Sequence, residues 1–270
     1  MGVIKPHGVP RQRVVVSAHQ DAAYEFNLWW LFRDGGVPAM ILSIGCLLMP
    51  LGTSLMGLLT EQGADDVSLM VLLLLLWPFA ALNFMFHSGH VVPGAMDNLA
   101  GICVLMGLSP LLRGRLEHTE VLLLATSSEE CGLRGAKAFA QAHLSEFAGN
   151  CLLPTRGIFV DGIYDEKHLT VVTRELTTGA KHDPRLVAMA ERVAAALGFP
   201  CERAVIPFGA SDASAFSTSG IPSLSILCQD THRLVHNYHT RDDTIELVKP
   251  SSMSTTLRLV YSMLEIIDHS

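Results

Sequence analysis

Four short and nearly continuous apolar runs stand out in the pattern of hydrophobic and polar residues. They are Val14–Ala18, Glu120–Thr126, Gly157–Val160 and Pro222–Leu227. Runs of this length that lack a polar alternation are typical of strands buried on both faces. We therefore expect these four segments to lie in one sheet that is covered on both sides.

Between these runs, apolar residues recur at the spacing of an α-helix. Such patterns cover Asn98–Leu112, Gly132–Phe147, Asp183–Gly198 and Pro250–Ile267. Asp183 is followed by a proline, which is typical of a helix start, because the aspartate caps free N–H groups and proline suits the first turn. Strands that alternate with helices predict an α/β fold with a mostly parallel, mixed central sheet sandwiched by helices.

Two longer apolar runs fit neither pattern. Within them, residues 37–59 and 68–86 contain no Asp, Glu, Lys or Arg. As helices they would be about 34 Å and about 28 Å long, and the hydrocarbon core of a bilayer is about 30 Å thick. We therefore predict a transmembrane helical hairpin over residues 35–86. The alternative is a buried helical hairpin in a soluble protein.

This hairpin would divide the chain into an inserted membrane segment and a main domain made of residues 1–34 and 87–270. The connection between the two spans, Glu61–Asp66, is acidic. Three arginines precede the first span: Arg11, Arg13 and Arg33. Because positive residues favour the cytoplasmic side, we expect an integral membrane protein with its main domain in the cytoplasm and the lipid bilayer as a partner.

Composition and charge exclude several classes. The net charge is −7 and no Lys/Arg-rich run occurs, so nucleic acid is not an expected partner. The six cysteines form no CxxC pair, which argues against a cysteine zinc site and a dense disulfide framework, and mildly favours a reducing compartment. Residues 1–12 contain no apolar stretch, so we do not expect a signal peptide there.

Acidic and histidine side chains stand where the predicted elements begin or end. His19 follows the first strand, with Asp21 two residues later, and Asp97 opens a predicted helix. The pair Glu129 and Glu130 follows the second strand. In parallel α/β sheets, ligand-binding residues lie just past the carboxyl ends of strands. Each of these residues alone has a simpler explanation as a helix cap or a polar loop residue.

Two further positions complete this set. Asp161 closes the third strand, and Tyr238-His239-Thr240 precedes two more aspartates. His236 is an alternative to His239 as the candidate ligand, and His232 is a weaker alternative. Carboxylate and imidazole ligands without cysteine suit a catalytic zinc site. A carboxylate that bridges two ions suits a site with two metals.

The order of these stretches resembles that of one family, the di-zinc metallopeptidases that include bacterial leucyl aminopeptidase, aminopeptidase Y and glutamate carboxypeptidase. The similar stretches are VVVSAHQDA, VPGAMDNLAG, TSSEECGLRGAKAFA, IFVDG, FGASDASAF..SGIP and YHTRDDT. They span nearly all of the chain outside the apolar runs. The resemblance implies the zinc-exopeptidase fold and a peptide substrate.

The resemblance also implies two zinc ions and their ligands. His19 and Asp161 would bind the first zinc, and Asp97 would bridge both. Glu130 and His239 would bind the second. Three other residues would take part without binding metal: Glu129 as general base, Tyr238 as a group that steadies the oxyanion, and Asp21 as the residue that orients His19.

The chain departs from the family pattern in two places. Ser211-Asp212-Ala213 stands where the family often has Ser-Asp-His, and the predicted hairpin between Asp21 and Asp97 is not a feature of the family. We expect a membrane-anchored, zinc-dependent exopeptidase, with an aminopeptidase as the first choice. A carboxypeptidase, a glutaminyl cyclase-like acyltransferase with one zinc, and a non-catalytic membrane receptor or scaffold are the alternatives.

Overall fold

The computed structural model describes residues 1–60, 66–149, 153–233 and 235–270. Cys151 and residues 61–65 of the expected acidic connection lie outside the described residues. The chain forms two compact units. The first unit comprises residues 1–22, 94–235 and 243–270, and the second comprises residues 23–93 and 236–242.

The described part of the first unit contains an eight-stranded mixed sheet. Its strands are β1 (Gly2–Ile4), β2 (Gln12–His19), β3 (Thr119–Thr126), β4 (Thr155–Ile163), β5 (Leu169–Glu175), β6 (Ala180–Lys181), β7 (Glu202–Ile206) and β8 (Ser223–Cys228). Strand β2 is parallel to both of its neighbours, β3 and β4, and β4 is parallel to β8. Strands β1 and β5 run antiparallel to β3 and β8. The predicted mixed sheet is confirmed.

Nine α-helices occur among the described residues of the two units. They are α1 (Asn27–Phe32), α2 (Gly36–Thr60), α3 (Asp66–Ala80), α4 (Ala100–Leu112), α5 (Arg134–Ala142), α6 (Leu144–Phe147), α7 (Pro184–Ala196), α8 (Ala213–Thr218) and α9 (Pro250–Asp268). In the first unit, α9 packs against α4 and α7, whereas α5 packs against α8. These two groups flank the sheet, which confirms the predicted α/β fold.

The apolar runs predicted as buried strands form the central part of the sheet, where both faces are covered. Val14, Val15 and Val16 are all fully buried, because β2 lies inside the sheet and both of its faces are covered. Val15 faces a cluster that includes Phe159 from β4 and Phe216 from α8. Packing of this kind fixes the positions of the strand ends that carry the acidic and histidine residues.

Three local predictions differ from the structure. Asp161 does not follow its strand but lies within β4, because β4 continues past a register shift in its pairing with β8. The single helix expected over Gly132–Phe147 is two helices that end and restart around His143. The helix expected from Asn98 begins as regular α-helix at Ala100, since Asp97 and Asn98 have non-helical backbone angles.

The second unit contains the long apolar helices α2 and α3, which pack against each other. Just after α3, the Asn83 side-chain amide donates to the carbonyl of Ser43 in α2 at 3.1 Å. Among the described residues, three helical segments are long and apolar enough to cross a membrane: Asn27–Leu59, Val67–Met85 and Ala95–Leu112. The third belongs to the first unit and is half buried there, whereas few residues of the first two are buried.

Candidate metal centre

His19 lies at the end of β2, with two carboxylates close to one nitrogen of its ring. Its Nε2 atom is 3.0 Å from Oδ1 of Asp97 and 3.4 Å from Oδ1 of Asp161. The register places Asp161 beside His19, because Ser17 pairs with Phe159 two residues earlier on each strand. His19, Asp97 and Asp161 each offer one ligand atom, and these atoms lie within 4.8 Å of one another.

Asp97 is held in place by a residue that sequence reasoning did not assign. The carboxylate of Asp243 accepts the backbone N–H of Met96 at 2.7 Å and that of Asp97 at 3.2 Å. On the following residue, the Asn98 side chain donates to the carbonyl of Val160 in β4 at 2.8 Å. The segment before α4 is therefore tied to two distant parts of the chain, which explains its departure from helical geometry.

Glu129 and Glu130 lie in the turn after β3, and Asp21 fixes that turn. The two carboxylate oxygens of Asp21 accept the backbone N–H groups of Glu129 and Glu130, each at 3.2 Å. The backbone carbonyl of Asp21 also lies 3.1 Å from Nδ1 of His19, closer than its own carboxylate at 3.7 Å. Ligand atoms of His19, Glu129 and Glu130 form a second group within 4.8 Å.

The electrostatics of these residues favour a bound cation. Burial raises the pKa of Asp161, and the hydrogen bond to His19 only partly opposes this. Burial raises the pKa of Glu129 well above its usual value, and the nearby charge of Asp161 adds to the rise. The buried carboxylates of Asp97 and Glu129 and the partly exposed carboxylate of Asp161 lie close to the His19 imidazole. Because uncompensated buried charge is costly and the donors are all oxygen or nitrogen, this set of residues fits zinc.

Asp212 is a further buried acid near these residues. Its Oδ2 atom accepts the hydroxyl of Thr126, the last residue of β3, at 2.5 Å. Burial raises the pKa of Asp212 to about 6. The only signal in the sequence was its place in the Ser211-Asp212-Ala213 stretch, and no spacing rule links it to Thr126.

Tyr238 and His239 belong to the second unit. Their rings stack with centroids 3.8 Å apart, and His239 is buried. Of the competing histidines, His236 is 3.4 Å from Asp34 within the second unit, and His232 is an exposed residue of the first.

One protein family matches the chain. The model of peptidase family M28 matches residues 80–264, which is more than half of the chain. The match includes Asp97, Glu129, Glu130 and Asp161 and leaves out His19. No curated protein matches.

Solved structures share the fold at low sequence identity. The LapA aminopeptidase of Legionella pneumophila has 13% identity and a TM-score of 0.61, over 97% of this chain and 53% of that one. BSAP, a zinc aminopeptidase from Bacillus subtilis, has 18% identity and a TM-score of 0.61, over 98% and 49%. The glutaminyl cyclase of Porphyromonas gingivalis has 15% identity and a TM-score of 0.59, over 98% and 76%. The chain thus spans about half the length of the aminopeptidases.

Proposed function

Because the chain belongs to peptidase family M28, we propose that it is a membrane-anchored, zinc-dependent exopeptidase that hydrolyses N-terminal peptide bonds. The observation that carries this proposal is the group of His19, Asp97 and Asp161, whose ligand atoms lie within 4.8 Å beside the turn of Glu129 and Glu130. Two structures of similar fold are described as aminopeptidases, which favours the N-terminal over the C-terminal bond.

The proposed centre would hold two zinc ions. His19 and Asp161 would bind the first, and Asp97 would be shared by both. Glu130 and His239 would bind the second, and His239 is assigned from its place in the YHTRDDT stretch. Imidazole and carboxylate donors are the usual ligands of catalytic zinc.

When bound, zinc would activate water and polarise a carbonyl group. Glu129 would accept a proton from the attacking water and then donate it to the leaving amine, as a general base and afterwards a general acid. The pKa of Glu129 is raised because its side chain is buried. Tyr238 steadies the oxyanion with its hydroxyl. Asp21 holds both His19 and the glutamate turn, and so acts as a positioning residue.

A membrane anchor completes the proposal. Helices α2 and α3 insert in the bilayer, and the main domain faces the cytoplasm. The exposed apolar length of both helices supports insertion. Peptides are the substrates and the lipid bilayer is the partner, with no role for nucleic acid.

The glutaminyl cyclase neighbour gives a second candidate, an acyl transfer with one zinc. The additional carboxylates favour two metals over one. To test the proposal, purified protein in detergent is loaded with zinc, and its metal content is measured. Its activity is then measured on free aminoacyl amides, N-blocked peptides and N-terminal glutaminyl peptides.

We expect two zinc ions per chain and cleavage of the free aminoacyl substrates only. One zinc with cyclisation of glutaminyl peptides would support the cyclase. Cleavage of N-blocked peptides at their C-terminus would support a carboxypeptidase. Bound metal without activity on any substrate would support a non-catalytic receptor or scaffold.

A further inference from the structure

The chain segments that enter and leave the apolar hairpin are paired with each other in the second unit. The backbone N–H of Val92 donates to the carbonyl of Ala23 at 3.0 Å, and that of Glu25 donates to the carbonyl of His90 at 2.8 Å. This short ladder closes the base of the hairpin. The side chain of Glu25 projects from it and is 1% exposed as a residue.

Glu25 joins this base to the loop of residues 236–242, which carries His239. Two nitrogens of the Arg241 guanidinium, Nε and Nη2, lie 2.7 Å from the two carboxylate oxygens of Glu25. The backbone N–H of Arg241 donates to the same carboxylate at 3.0 Å. A two-pronged pair of this kind fixes direction as well as distance. The hydrogen bond from Arg241 lowers the pKa of Glu25, so the pair is charged at neutral pH.

The neighbours of Glu25 also hold His239. The backbone N–H of Phe26 donates to the carbonyl of His239 at 2.8 Å. The two rings meet edge to face, with centroids 4.6 Å apart and planes at 80°. His239 has a φ of 53°, a region that residues other than glycine seldom occupy, so its surroundings must favour that conformation.

We infer that Glu25 is a positioning residue for His239, and that occupancy of the second zinc position therefore depends on the base of the hairpin. This inference rests on the proposed assignment of His239 as a zinc ligand. Loss of the Glu25 carboxylate removes the anchor of Arg241, two residues from His239. The imidazole then samples more orientations, and each metal-binding event must select the productive one.

The second unit provides a matched control. Arg33, just before α2, lies 3.2 Å from Asp242, and both side chains are substantially exposed. This pair connects the hairpin to the same loop, but exposed ion pairs contribute little to stability. The substitution Arg33→Gln therefore removes an ion pair between the same segments without removing the anchor of Arg241.

The test is a metal titration of the full chain in detergent after removal of metal. Zinc binding is measured in competition with a chromophoric chelator, which reports the affinity of each equivalent without using activity. We expect Glu25→Gln and Arg241→Gln each to weaken the second equivalent about tenfold or more and to leave the first unchanged. The double variant should be no weaker than either single variant, since both remove the same pair.

Arg33→Gln and the wild type should bind the second equivalent of zinc with the same affinity. Arg241→Lys should have an intermediate affinity, because it keeps the charge but loses the two-pronged contact. Two outcomes would overturn the inference. Wild-type binding of both equivalents by Glu25→Gln would overturn the positioning role. Equal weakening of both equivalents in every variant would also overturn it, since the pair would then act on the fold as a whole.

The variant His239→Asn separates this inference from the proposed function. It should lose the second equivalent alone. If it binds both equivalents like the wild type, or if the wild type binds only one, the assignment of His239 fails. If His239→Asn behaves as expected and Glu25→Gln does not, only the positioning role fails.

Discussion

At the scale of single residues, the proposal gives different tasks to the adjacent acids Glu129 and Glu130. Both backbone N–H groups bind the Asp21 carboxylate, so the turn itself is fixed. Glu129 is 9% exposed, and burial raises its pKa. A carboxylate with a raised pKa holds a proton more readily, which suits a group that shuttles one. A neighbour that bonds to metal must instead stay ionised.

We therefore expect the two glutamine variants to differ in kind. Glu129→Gln should keep both zinc ions and lose about 10²–10⁴-fold in kcat, the usual contribution of a general base. Glu130→Gln should lose zinc as well as activity. Elemental analysis beside steady-state kinetics measures both effects. Equal metal content with equal loss of activity in the two variants would contradict the assignment.

Asp243 supports a second prediction at this scale. Its carboxylate accepts two backbone N–H groups, those of Met96 and Asp97. Asparagine keeps the shape but turns one acceptor into a donor that faces an N–H group. We expect Asp243→Asn to lower the free energy of unfolding by about 1–3 kcal/mol, because a buried donor is left unsatisfied.

Denaturation in urea with metal removed measures this loss. The neighbouring variant Asp242→Asn is the control, since that side chain is 40% exposed and pairs only at the surface in the part of the chain described. An equal effect of the two variants would show that the Asp243 contacts do not stabilise the segment.

At the scale of secondary structure elements, the sequence predicts those strands and helices whose pattern of apolar residues is set by their own burial. The run at Val14–Ala18 predicts β2, because a central strand is apolar on both faces. Strand β7 escapes the same reasoning. Its residues are mostly exposed or half-buried at the sheet margin, and it pairs only with β5 among the described strands. Edge strands carry polar residues and so give no continuous apolar run.

The candidate site residues likewise divide into those with a local sequence pattern and those without one. His19 and Asp97 can be recognised as candidate metal ligands from the sequence, because each stands in a short stretch that resembles a family motif. The supporting contact of Asp212 with Thr126 joins residues 86 positions apart. No local pattern encodes such a contact, since it arises only when the sheet has assembled.

Helix α9 gives a prediction that joins an element to the sheet. Near its end, the buried carboxylate of Asp268 accepts the backbone N–H groups of Glu117, His118 and Thr119 at 2.7, 2.8 and 2.7 Å. Burial alone would raise the pKa of Asp268, but these hydrogen bonds outweigh it and lower the pKa. The helix is thereby tied to the start of β3.

The lowered pKa of Asp268 determines how its contribution to the free energy of unfolding depends on pH. A carboxyl group whose pKa falls on folding stabilises the protein above its unfolded pKa of about 3.9, and the contribution is lost as the pH falls through the folded pKa. We expect Asp268→Asn to cost about 2–3 kcal/mol at pH 7, and the difference from the wild type to shrink below about pH 4. Urea denaturation at a series of pH values measures it. A difference that stays constant down to pH 3 would contradict the role of the charge.

At the scale of the whole molecule, the exposed apolar surface of α2 and α3 calls for an apolar environment. Leu58 is 82% exposed and Leu74 is 67% exposed, amid many neighbours of the same kind. Soluble monomers seldom expose apolar patches of this extent. The segment that contains helix α4 is also apolar enough to cross a membrane, yet Leu108 and Leu112 are fully buried in the core of the first unit. The three candidate spans are therefore not equivalent.

This difference predicts how charge substitutions affect membrane insertion. We expect the wild type to remain in the membrane fraction after alkaline carbonate and to require detergent for extraction. An arginine at the centre of a span costs about 2.5–3.5 kcal/mol, so Leu48→Arg together with Leu74→Arg should release part of the protein. Met106→Arg is the matched control, because Met106 is 69% exposed on α4 and its helix should not insert. Extraction of the wild type by carbonate alone would rule out the anchor.

The last membrane prediction concerns sidedness, because the proposal places the main domain in the cytoplasm. Cys103 is exposed on α4, in the first unit. In a variant that keeps Cys103 and has serine at the other cysteines, a thiol reagent that cannot cross membranes reports where this unit lies. We expect no labelling in intact cells and full labelling after the membrane is permeabilised with detergent. The permeabilised sample also shows that the thiol is reactive, so labelling of intact cells would place the main domain on the outer side and reverse the proposed orientation.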